Sequence, residues 1–148
     1  MPVVNVNSDI AGPNTGVDPA KQRGRPFAAT GSVANGATDS IGSKYLICRV
    51  PSEAILDTRT FFKVDTWGFA NIRIGTFTDP AALVSQTRAL EAVATPVDVG
   101  DAKHGMPFWQ ACGMAADPGG EIAVYMHGLV ADATAAGTCR FEVHYRHR

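Results

Sequence analysis

Apolar and polar residues alternate with a period of two along much of residues 44–148 and do so nowhere for long in residues 1–43. Side chains alternate across a strand, so this pattern predicts half-buried antiparallel strands. The clearest is the last: Cys139, Phe141, Val143 and Tyr145 alternate with Arg140, Glu142, His144 and Arg146. Ile122, Val124 and Met126 mark a second strand, Ile72, Ile74 and Thr76 a third, and Thr60, Phe62 and Val64 a fourth. In Lys44–Val50 the same rule puts Leu46, Cys48 and Val50 on one face. Residues 89–99 read as an apolar strand broken near Pro96, and residues 104–114 as a loop or irregular strand held by Phe108 and Trp109. Pro51, Thr78-Asp79-Pro80 and Asp117-Pro118-Gly119-Gly120 are turn signals between these segments.

Residues 1–43 are rich in Gly, Pro, Asn, Thr and Ala, with few large side chains to build a core. They read as an extended N-terminal arm on a β domain of residues 44–148. The expected fold is all-β, an antiparallel β-sandwich or jelly roll. Val3, Val4, Val6, Ile10 and Phe27 are apolar anchors along the arm, suited to a segment that orders on a partner. Arg23 and Arg25, beside Lys21, form the one basic cluster. Arg-Gly-Arg-Pro is the core of a minor-groove hook, but the outer proline is missing, so pairing with carboxylates on a protein partner is the expected use. Trp67 and Trp109, near turns, suit either a subunit interface or closure of one end of the sandwich.

With 148 residues the chain has room for one domain. Its net charge of −1 gives no global field toward nucleic acid or acidic lipid, and neither nucleic acid nor membrane is expected as a partner. No apolar run reaches the roughly 20 residues that cross a bilayer, and no secretory signal is visible. Cys48, Cys112 and Cys139 are an odd set without tight spacing, as expected of thiols in a reducing cytoplasm. His104, His127, His144 and His147 lack paired-ligand spacing, so no metal and no cofactor are expected. There is no nucleophile elbow or phosphate loop, and a Cys112–His104 pair has no supporting motif. Asp57, Asp65, Asp79, Asp98, Asp101 and Asp117 sit beside turns, where Asp is ordinary. The chain is therefore read as non-enzymatic.

Two segments resemble small β-rich structural proteins of tailed bacteriophages. One is Tyr45-Leu-Ile-Cys-Arg-Val-Pro-Ser-Glu-Ala-Ile-Leu-Asp57, continued by Phe-Phe-Lys-Val-Asp at 61–65 and Ile-Arg-Ile-Gly-Thr-Phe-Thr-Asp at 72–79. The other is the closing Ala135-Ala-Gly-Thr-Cys-Arg-Phe-Glu-Val-His-Tyr145. The resemblance implies a capsid decoration (cement) protein, made in the host cytoplasm and carried on the capsid surface. It implies the major capsid protein as partner and self-association, as a homotrimer. A neck, tail or head-fibre subunit is the alternative; a carbohydrate-binding module, using Trp67 and Trp109 for sugar stacking, is a further one.

Overall fold

The computed structural model describes residues 2–7, 26–87 and 93–146. Ten strands form two five-stranded sheets with an apolar interior between them. Sheet 1 contains β1 (Asn5–Asn7), β3 (Lys44–Pro51), β9 (Glu121–His127), β6 (Asn71–Gly75) and β7 (Val84–Thr87), in that spatial order. Sheet 2 contains β2 (Pro26–Asn35), β10 (Gly137–Arg146), β5 (Phe61–Asp65) and β8 (Val93–Ala94), with β4 (Ile55–Leu56) also paired to β10. Among the described residues, β1 on β3 is a parallel pair and the rest are antiparallel. The fold is thus an all-β sandwich, as the alternation predicts.

The alternating faces supply the interior. Cys139, Phe141, Val143 and Tyr145 from sheet 2 meet Ile72, Ile74, Ile122, Val124 and Met126 from sheet 1, all buried in one cluster. At one end, Tyr45, Trp67 and Phe69 pack ring against ring, with centroids 5.3 Å apart for Tyr45–Trp67 and 6.0 Å for Trp67–Phe69. Such edge-on and tilted pairs add to simple burial. Trp67 is 2% exposed, so it closes the sandwich and offers no platform to a sugar or a partner. The Tyr45 hydroxyl donates to the buried Asp39 carboxylate, which also accepts the Gly36 N–H at 2.8 Å. Burial, then Asp39, push the Tyr45 phenol far above its ordinary range.

The structure departs from the sequence pattern most clearly in three places. β3 contains a bulge: Leu46 pairs with Tyr125 and Cys48 with the adjacent Val124, leaving Ile47 as the extra residue. Tyr45 and Cys48 therefore both face the core, while Lys44 and Leu46 face outward, and the expected single face through Leu46, Cys48 and Val50 is broken. Second, a short helix, α1 (Phe108–Ala111), occupies the ambiguous stretch and buries Phe108 and Ala111. Third, strand pairing begins well before Lys44. β1 joins sheet 1, with the Val4 carbonyl accepting from Lys44 at 3.0 Å and the Val4 N–H donating to Ser43 Oγ at 3.1 Å. β2 pairs with β10 from Pro26↔Arg146 to Asn35↔Gly137. Within the range read as an arm, residues 26–35 are an integral strand of sheet 2. Its small residues and Gly31 conceal the alternation that Phe27, Ala29 and Val33 carry.

Candidate protein-interaction site

Cys48, Cys112 and Cys139 are free and buried, and burial pushes each thiol up to about 12, where a nucleophilic thiolate is scarce at neutral pH. No hydrogen bond joins Cys112 to His104. Among the described residues, no three His, Cys, Asp or Glu side chains gather as metal ligands would. A groove of about 230 Å³ beside His104, Arg146 and Asp57 lies below the roughly 300 Å³ at which small-molecule sites begin. Asp57, Asp79 and Asp117 do what turn aspartates do: their Oδ1 atoms accept the N–H two residues on, at 2.9, 3.2 and 2.8 Å.

The outer face of sheet 1 differs from these. The register places Lys44, His127 and Arg73 side by side across β3, β9 and β6. This cross-strand row holds three basic residue types, and among the described residues no carboxylate lies within ion-pair distance of Lys44 or Arg73. Arg73 Nε is buried without an acceptor among the described residues. The loop after β6 folds back over the row. Gly75 permits this, because a Cβ there would stand 2.1 Å from the Asp79 carbonyl oxygen. The loop buries His127 to 3% exposure and sets the Thr76 carbonyl 2.8 Å from His127 Nε2. A carbonyl only accepts, so Nε2 carries the proton and donates it. Burial first, and the Lys44 charge after it, hold the His127 pKa below its ordinary value, against the opposing pull of the Thr76 hydrogen bond and Asp79.

Phe77 stands on this loop, 61% exposed. Its ring meets Tyr125 edge-on at 5.7 Å, and the Lys44 ammonium lies 5.0 Å from its centroid. A cation over a fixed aromatic ring, open to solvent, is a ready anchor for another protein surface. Further exposed apolar side chains border the row's β3 end. Ile41 and Val130 rise from two joined loops, in which Ile41 N–H donates to Asp132 Oδ1 at 2.8 Å and Gly42 N–H to the Gly128 carbonyl at 2.8 Å. Val130 holds a φ of +81°, unusual for a β-branched residue and costing on the order of 1–3 kcal/mol.

The predicted contact residues are dispersed. Val3 and Val6 are exposed at the edge of sheet 1, where the register sets Val6 level with the inward-facing Tyr45, and Val4 packs onto the core. Phe27 is half-buried and stacks on Tyr145 at 5.8 Å. Trp109 is half-buried against the core and Trp67 wholly inside it. Ile10, Arg23 and Arg25 lie outside the described residues. Lys44, Arg73, Phe77, Tyr125 and His127 were missed, because their meeting depends on strand register. The available signal was a phenylalanine placed just after a strand and before the Thr78-Asp79-Pro80 turn.

No protein-family model matches the chain, and no curated protein matches it. Among solved structures, the fold is similar to a chain of the Cyanophage Pam1 capsid asymmetric unit, with a TM-score of 0.56 and 18% identity. The alignment covers 85% of this chain and 87% of that one, so the likeness extends over the whole sandwich.

Proposed function

We propose that this protein is a non-enzymatic structural component of a bacteriophage virion that binds the outer capsid surface and stabilises it. The observation that carries the reading is the likeness in fold, along nearly the full length of both chains, to a chain from the Cyanophage Pam1 capsid asymmetric unit. The open Phe77–Lys44 face supports it further, since assembly rather than chemistry is what such a surface serves. In this reading the partners are the major capsid protein and other copies of this chain, in a homotrimer, and the protein is carried on the capsid surface after synthesis in the host cytoplasm. Many modest interfaces, repeated over a lattice, give stable attachment by avidity.

Quantitative mass spectrometry of purified particles tests this. A copy ratio to the major capsid protein near unity, or about one to three, is expected for lattice-wide decoration. A ratio of about one to fifty assigns the protein to the neck or tail instead. Absence from particles overturns the virion reading. The arm is tested separately by removing residues 2–25, a cut that leaves β2 on β10. Loss of capsid attachment with the sandwich still folded is the expected result.

A further inference from the structure

We infer that the Lys44–Phe77–Arg73 face receives a second copy of this chain, through that copy's loop tip Asp98-Val99-Gly100-Asp101. This gives a surface to the self-association in the reading above and rests on that part of it.

The two surfaces match in chemistry. The receiving face has two cations without a carboxylate partner among the described residues and an open aromatic ring. The tip carries the reverse. Val99 is 80% exposed, and Asp98 and Asp101 flank it, exposed and without ion-pair partners among the described residues. An isolated monomer gains nothing from an outward valine between two carboxylates that find no cation among the described residues. Against Phe77 the valine loses water, and against Lys44 and Arg73 the carboxylates gain charge-assisted partners.

The tip is also held in shape before it docks. Asp101 N–H donates to the Asp98 carbonyl at 3.0 Å, His104 N–H donates to the Asp101 carbonyl at 3.0 Å, and Gly100 takes a φ of +86°. A turn already formed loses little freedom on binding. Lys103, just after the tip, donates from Nζ to the Ala82 carbonyl, at the end of the loop that carries Phe77. One hydrogen bond thus ties the segment after the tip to the loop that carries Phe77. A head-to-tail contact between unlike patches builds a ring or a filament.

Sedimentation velocity on the full chain tests the pairing, with Val99→Asp, Asp101→Lys, Lys44→Glu and the double variant Lys44→Glu/Asp101→Lys. Circular dichroism reports folding, and Val99 and Asp101 are exposed loop positions with no side-chain hydrogen bond among the described residues. Each single change is expected to weaken association about tenfold, and the double charge reversal to restore most of it. Lys63→Glu, on the outer face of sheet 2, is expected to leave association unchanged. If the chain associates but the single variants do so equally well, or the double variant is not restored, this pairing is overturned while self-association stands. If the unaltered chain sediments as a monomer throughout, both fall, and the capsid reading is then judged by copy number alone.

Discussion

The two sheets bury their inner faces alike but present opposite outer faces. Sheet 2 shows solvent both signs of charge: Lys63 stands across from Arg140 and Thr138 across from Asp65. Glu142 lies 3.4 Å from His144, and the neighbouring β2 positions are Ala28, Thr30, Ser32 and Ala34. That is an ordinary solvated surface, with mixed charge and small residues. Sheet 1 instead sets Lys44, His127 and Arg73 in one row under an open phenylalanine, with no carboxylate within ion-pair distance of Lys44 or Arg73 among the described residues. Inner faces determine that the chain folds; the difference between outer faces is where a role has been written.

The sharpest way to break the likeness of the inner faces is to cut each one. Phe141→Ala in sheet 2 and Ile74→Ala in sheet 1 remove buried side chains, at 2% and 0% exposure. Costs of about 3–5 and 2–5 kcal/mol are expected in urea unfolding, because each leaves a cavity the packed interior only partly fills. A clear deficit in one sheet alone would mean that the sheets do not share one cooperative core. The next effect is specific to sheet 1. His127 has a folded pKa below the ordinary 6.5. Its contribution to stability is therefore complete above the unfolded pKa and is lost as pH falls below it, because the unfolded state takes up the proton more readily. The melting temperature should drop between about pH 7 and pH 5. In His127→Gln, whose amide can still donate to Thr76, that part of the slope should vanish; an unchanged slope would assign it to other groups. The smallest effects belong to the outer surfaces. Phe77→Ala and Lys63→Ala should each shift folding stability by no more than about 0.5–1 kcal/mol. Only Phe77→Ala should weaken self-association, so a matching loss with Lys63→Ala would erase the contrast between the faces.

Strands with large apolar residues at every second position were legible: β5, β6, β9 and β10 lie where Phe62, Ile74, Val124 and Phe141 announce them. β2 was not, since Ala, Thr, Gly and Ser occupy both of its faces and the strand owes its place to β10 beside it. The receiving face was illegible for another reason. Lys44, Arg73 and His127 are far apart along the chain, and period-two reasoning gives each residue's face but not its neighbour. The burial of His127 was hidden as well, because it follows from the loop that folds back over Gly75. Trp67 could be read as interior or surface; packing against Tyr45 and Phe69 decides for the interior.

The bulge at Ile47 acts as a change of phase. Read as a regular strand, with Cys48 and Val50 pointing inward, β3 would turn Lys44 into the core and Tyr45 to solvent. By absorbing one residue, the strand restarts its count: Tyr45 reaches Asp39 and Trp67, and the lysine comes out over Phe77. One uncounted position thus assigns an aromatic to the interior and a cation to the surface. The charge that sheet 1 displays is set by where its third strand loses step.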